Sequence, residues 1–139
     1  MLDVDDHQQE VTIEHVSLIL GHSWVLTFLE DDGDVFASVR ERLRLGAGRV
    51  RGLGADYLAF CLIDAVVDHY FLALEWIGDR IEQFDGQVLH APETVQVQEI
   101  HRFKRSLLDL RRSVWPTREM VGAIVRCESS LISPESRLF

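Results

Sequence analysis

Cysteine, basic surface and long apolar runs are all scarce in this chain, and each shortage removes a class of protein. The two cysteines, Cys61 and Cys127, lie far apart with no motif around either. That argues against a disulfide scaffold, predicts reduced thiols and gives no local setting for a nucleophile. No stretch approaches 18 uncharged apolar residues, so no segment is expected to span a membrane. The start, MLDVDDHQQE, lacks the basic and apolar regions of a signal peptide. Lys and Arg number 14 against 23 Asp and Glu, a net charge of −9. That balance argues against a general nucleic-acid or anionic-membrane binder. It suits cation binding, and it equally suits plain acidic solubility. The six histidines (His7, His15, His22, His69, His90 and His101) show no HExxH or other ligand spacing. No enzyme is expected.

What the chain does have is enough apolar residues, 47% of 139, for one domain with an extended helical part. Its centre is Gly54 to Asp85. At about 100° per residue, Ile63, Val67, Tyr70, Leu74, Ile77 and Ile81 form a core-facing stripe of one long helix. Asp64, Asp68, Glu75, Asp79 and Glu82 gather on another side, within an arc of about 60°. Five aligned carboxylates repel one another unless something positive faces them. Two readings stand: a solvated face paired with a basic helix, or a surface that meets hydrated divalent cations. Mg²⁺ keeps most of its waters and needs only one or two carboxylates.

Around that helix the chain reads in order. Met1 to Glu10 is a polar lead-in. Val11 to Glu30 reads as a β-hairpin, with VTIEHVSLIL and WVLTFLE as strands about the Gly21-His22-Ser23 turn. Such a hairpin is marginal alone, which suggests membership of a larger sheet. Asp31-Asp32-Gly33-Asp34 lacks the spacing and glutamate of a calcium loop, and reads as a turn and helix N-cap. A short helix follows over about Val35 to Leu45, with Phe36, Val39 and Leu43 in step. The glycines of Gly46 to Gly54 have no Gly-Lys-Ser/Thr ending and read as a flexible connector rather than a phosphate loop. Asp85-Gly86 is a C-cap and turn signal, and Pro92 stands near a new helix start.

The second long helix, about Thr94 to Arg126, carries Ile100, Phe103, Leu107, Leu110, Val114, Val121 and Val125 as its seam. Lys104, Arg111 and Arg118 repeat every seventh residue, so the two helices are expected to fold back antiparallel with complementary flanks. Pro116 must kink this helix or open a backbone bond. Ser133-Pro134-Glu135 reads as the cap of a further helix. The predicted fold is therefore α+β: a β-hairpin, a short helix and two long antiparallel helices. Its divisions are 1–10, a flexible N-terminus; 11–53, hairpin, short helix and connector; 54–127, the helical hairpin; and 128–139, the start of a further helix, which the family resemblance below implies is a truncated stalk region.

Three blocks together resemble the CorA family of divalent-cation channels. They are VSLILGHSWVLTFLEDDGDVFASVRERLRLGAGRVRGLGADYLAFCLIDAVVDHYF, EIHRFKRSLLDLRRSVWPTREMV and LISPESRLF, in consistent order over nearly all of residues 11–139. The resemblance implies part of a cytoplasmic α/β/α domain, followed in family members by a stalk helix and two transmembrane helices. It implies a homopentamer at the cell membrane, with this portion soluble on the cytoplasmic side and no nucleic-acid partner. Mg²⁺ or Co²⁺ would be the transported and regulatory ion, and ions bound between neighbouring domains would favour the closed state. By position, Asp64 and Asp68 in IDAVVDHY match the acidic helix of the regulatory cation region, and Glu75, Asp79 and Glu82 extend it. His69 stands where relatives often carry an acid or asparagine. The pore-mouth Gly-Met-Asn signature and the Tyr-x-Arg-Asp-Val-type stalk segment are not in the sequence. The expected function is the cation-sensing and gating portion of a Mg²⁺/Co²⁺ transport protein, unable to transport alone. The alternative is a structural helical oligomerisation module.

Overall fold

The structure is a computed structural model that describes residues 2–5, 10–30, 35–90, 97–134 and 136. Its elements are α+β: β1 (Leu2–Asp5), β2 (Glu10–Ile13), β3 (Val16–Leu20), β4 (Val25–Leu29), α1 (Ala37–Leu45), α2 (Ala55–His90) and α3 (Val97–Arg126). The expected hairpin is β3–β4, antiparallel, with Val16 opposite Leu29 and Leu20 opposite Val25. Its turn is closed by the Gly21 N–H donating to the Trp24 carbonyl at 2.9 Å.

The run VTIEHVSLIL does not form a single strand. It breaks at Glu14-His15, and β2 pairs backwards with β1, Val4 opposite Val11. Part of the expected polar lead-in is therefore a strand. LDVD alternates apolar and acidic residues, a period of two too short to stand out in the sequence. The edge of β2 supplies its partner, while the β1–β2 pair lies across the helices, β1 on α2 and β2 on α3.

Helix α1 starts after Phe36, whose backbone takes the N-cap position without a side-chain cap. The expected cap at Asp31–Asp34 lies outside the described residues. The end of α1 is a Schellman closure. Gly46 adopts φ 65°, its N–H reaches the Leu43 carbonyl, and the Ala47 N–H reaches the Arg42 carbonyl at 3.0 Å. Arg51 folds back onto the Leu43 and Arg44 carbonyls, a cation on the negative end of the helix. The glycine connector is thus built by specific bonds.

Two apolar clusters form. The first holds Phe36, Val39, Val50, Cys61, Leu62 and Ala65, roofed by the inward residues of β3 and β4. The second holds Val11, Tyr70, Ala73, Ile77 and Leu110, where α3 packs on α2. Along that hairpin the contacts keep step every seven residues. Tyr70 meets Thr117 (Oη to Oγ1, 2.7 Å), Ile77 shares a cluster with Leu110, and Phe84 meets Phe103 edge-on at 5.4 Å. This is the antiparallel arrangement the sequence predicts.

One boundary differs from expectation. Helix α2 runs past Asp85-Gly86 to His90, whose ring Nδ1–H donates to the Gly86 carbonyl at 2.7 Å. A Cβ at Gly86 would meet nothing, so a lone glycine costs about 1 kcal/mol and does not stop a helix of 36 residues. Helix α3 continues through Pro116. The carbonyl of Ser113, one turn before it, accepts from Thr117 Oγ1 at 3.0 Å and from Tyr70 Oη at 3.2 Å. Side-chain hydroxyls occupy a backbone acceptor next to the break in the ladder.

Helix α2 also has an 18-residue window of mean hydropathy 1.6, long and apolar enough to cross a bilayer by length and composition. The window carries Asp64 and Asp68, so it is not an uncharged apolar run. A third of that window is buried inside the protein, where Cys61, Leu62 and Ala65 join the first cluster.

Candidate cation-regulatory surface

The site residues the sequence singles out all lie on α2. Asp64, Asp68, Glu75 and Asp79 are exposed, as is Glu82. A helix places side chains four apart about 5–6 Å from one another, so Asp64 neighbours Asp68 and Glu75 neighbours Asp79. From Asp64 to Asp79 the helix rises about 22 Å. The structure therefore arranges these carboxylates as a strip and does not gather them into one pocket. Among the described residues no group of three or more His, Cys, Asp or Glu could hold a metal ion. Two carboxylates four residues apart nevertheless fit a hydrated Mg²⁺, which keeps most of its water shell and needs one or two such ligands.

The expected neutralisation by the basic face of α3 does not occur. The two ion pairs that the described residues show in full, Arg102–Glu99 at 2.8 Å and Arg112–Asp109 at 3.4 Å, both lie within α3. No ion pair between described residues joins Lys104, Arg111 or Arg118 to the acidic strip, and Arg118 instead lies over the Trp115 ring at 5.9 Å. The reason is helical phase. Taking Tyr70, which faces α3, as zero, the five carboxylates fall about 120–180° around α2, on its far flank. Lys104 and Arg111 fall about 100–120° around α3 from Leu110. The opposite charges sit on the outer flanks of the hairpin with an apolar strip between them.

A cleft of about 730 Å³ opens where the end of α3 lies across the start of α2. Its walls are apolar, among them Leu18, Ile63, Val121 and Ile124, and its charged lining residues are Asp56 and Asp64. Asp56 is the acidic residue that sequence reasoning passed over. It sits in the first turn of α2 and accepts the Ser133 N–H at 2.9 Å, across 77 residues of chain. Partial burial pushes its pKa up, but hydrogen bonds from the Ser133 side chain and backbone, Ser136 and the Tyr57 backbone outweigh that and lower it from 3.8 to about 2. Ser133 in turn caps the next turn, its Oγ accepting the Ser136 N–H at 3.2 Å, as the Ser-Pro signal suggests. Asp56 thus works as a structural clasp holding the C-terminal segment to α2.

A folded pKa below the ordinary value means that the stabilisation is complete above about pH 3.8 and is lost as pH falls toward 2. Asp56→Asn is expected to remove that pH dependence and, after allowance for solvent screening, about 1 kcal/mol at neutral pH. Thermal melts of both proteins across that window measure it, and parallel curves would remove Asp56 from the role.

Cys61 is buried and Cys127 exposed, and neither is in a disulfide. Burial pushes the Cys61 thiol up, only partly offset by Arg42, which keeps it protonated and unreactive.

Residues 1–138 match the family model described as CorA-like Mg²⁺ transporter protein. Over 136 residues, 98% of the chain, the sequence is 45% identical to the cobalt/magnesium transport protein CorA of Thermotoga maritima. Over 119 residues, 86% of the chain, it is 26% identical to the putative metal ion transporter YfjQ of Bacillus subtilis. The chain spans 39% and 37% of the lengths of these two relatives.

Proposed function

The chain belongs to the CorA-like Mg²⁺ transporter family, and from that premise we propose that it is the cation-sensing portion of a Mg²⁺/Co²⁺ transport protein. The observation that carries this reading is the exposed carboxylate strip of α2, Asp64 to Glu82, which no cation of α3 neutralises. Asp64 and Asp68 are the pair assigned to the ion, and Glu75 and Asp79 extend the field. Each copy supplies part of a coordination shell, and water or a neighbouring copy completes it. Empty, the facing carboxylates of an oligomer, a pentamer in the intact protein, repel. An intervening Mg²⁺ offsets that repulsion and shifts a two-state ring toward closed. Transport itself belongs to membrane-crossing segments that family members carry elsewhere in their chains, with this portion on the cytoplasmic side. Relatives are named for cobalt and magnesium, and both ions are proposed here. The competing reading, a structural helical module, is favoured by the apolar strip beside the carboxylates.

Titration of the chain with Mg²⁺ or Co²⁺, followed by amide NMR, tests the sensing role. Millimolar ion is expected to shift the resonances around Asp64 and Asp68, and at ten times Kd to stabilise the fold by about 1.4 kcal/mol. Asp64→Asn with Asp68→Asn is expected to abolish both effects. Binding that survives the double variant would assign the ion elsewhere, and an unresponsive chain would favour the structural module.

A further inference from the structure

The last part of α3 and the segment after it lie over α2 as a strap fixed at two points. The first is beside Pro116, which lacks the N–H that the Arg112 carbonyl would accept in an unbroken helix. Here Tyr70 Oη of α2 lies 3.2 Å from the Ser113 carbonyl and 2.7 Å from Thr117 Oγ1. The Ser113 hydroxyl is enclosed and has no hydrogen-bond partner among the described residues. A missing ladder bond and an unpaired hydroxyl make this the turn where α3 bends most readily. The second point is the clasp of Asp56 on the Ser133 N–H at 2.9 Å. Helical rise puts Asp56 and Tyr70 about 21 Å apart on α2. Between them strap and helix stand apart across the cleft of about 730 Å³, with Val121 and Ile124 on one wall and Ile63 and Val67 on the other. Asp64 lies near the middle of this stretch, and of the acidic strip it alone lines the cleft.

We propose that residues 117–133 swing about Pro116 onto α2, and that the position of this strap regulates the access of a hydrated divalent cation to Asp64. The inference rests on the assignment of Asp64 to the ion. Open, as in this structure, the Asp64 carboxylate is exposed to water. Closure is driven by the release of water from the facing apolar walls, as Val121 and Ile124 meet Ile63 and Val67. It is opposed by three things. The Tyr70 latch and the Asp56 clasp hold the ends of the strap apart from the cleft floor. The third is the hydration of Asp64, because a carboxylate stripped of water without a partner is costly. An ion that keeps its water shell fits Asp64 only while the strap is open. Ion binding and closure therefore oppose each other, and each weakens the other by the same factor. Asp68, Glu75, Asp79 and Glu82 stay unpaired in both positions, since none of them lines the cleft.

Cys127 reports the position of the strap, because it is an exposed thiol that lines the cleft, while Cys61 is buried. Alkylation of the 139-residue chain by N-ethylmaleimide, followed by mass spectrometry, reads it without any ion. Tyr70→Phe with Asp56→Asn cuts both fixings and should slow the reaction of Cys127 while far-UV circular dichroism stays unchanged. If the open form falls to about one fifth of the population, the rate and the Mg²⁺ affinity measured by calorimetry should both drop about fivefold. Adding Val121→Ser and Ile124→Ser removes the drive to close and should restore both, which a general loosening of the fold would not do. Millimolar Mg²⁺ should restore the alkylation rate as well. An alkylation rate that is unchanged or faster in the Tyr70→Phe, Asp56→Asn protein overturns the strap. A parent chain that binds Mg²⁺ alongside a variant of equal affinity overturns the regulation alone. A parent chain that binds no Mg²⁺ overturns the cation-sensing reading, and the link to Asp64 with it.

Discussion

Phe36→Ala is expected to cost about 3–5 kcal/mol, the range for emptying an enclosed aromatic site. Phe36 is 1% exposed and lies in the first cluster beside Val39, at 0%, under the roof of β3 and β4. It is also the residue from which α1 starts, its carbonyl accepting the Arg40 N–H at 2.9 Å. The ring therefore ties the beginning of α1 to the underside of the hairpin and to α2 through Cys61, Leu62 and Ala65. A two-stranded hairpin has little stability alone, so its order depends on this contact. A domain of this size has about 5–15 kcal/mol in total, and the loss should be visible as a greatly lowered urea midpoint. A change under about 1 kcal/mol would mean that the cluster collapses around the gap, and that the hairpin is held by something else.

The long-range order of the molecule divides along the same line as its legibility in sequence. Both long helices, α1 and the β3–β4 hairpin follow from apolar spacing, since Ile63, Tyr70 and Ile77 repeat at helical steps whatever they pack against. Three features do not. Strand β1 exists because β2 offers an edge, and Leu2 and Val4 have no local pattern strong enough to announce it. The reach of α2 beyond Gly86 depends on the balance of many helical residues against one poor one, which a local stop signal misjudges. The clasp of Asp56 on Ser133 joins residues 77 apart, and nothing near either predicts the other. The candidate site divides similarly. The alignment of Asp64, Asp68, Glu75 and Asp79 is legible, because it is helical phase. Their lack of a basic partner is not, because that depends on which flank of α3 turns toward α2.

That orientation is set by the second cluster, and Ile77→Ala tests it. The side chain is 2% exposed, between Tyr70 and Ala73 on its own helix and Leu110 on α3, with Val11 closing the cluster from β2. Deleting it is expected to cost about 2–5 kcal/mol, whereas Leu72→Ala, at 54% exposure on the same helix, should cost far less. The pattern of loss is more informative than its size. Phe36 and its cluster contain no residue of α3, and the second cluster contains none of α1. Hydrogen exchange in the Ile77→Ala protein should therefore show α3 amides losing protection first, while Ala37–Leu45 keep theirs. The register Tyr70–Thr117, Ile77–Leu110 and Phe84–Phe103 would slacken from its centre, freeing α3 to turn. Lys104 and Arg111 could then reach the acidic strip, and the variant's stability should become more sensitive to salt than the parent's. Simultaneous loss of protection in α1 and α3 would instead show one cooperative unit, in which the two clusters cannot melt apart.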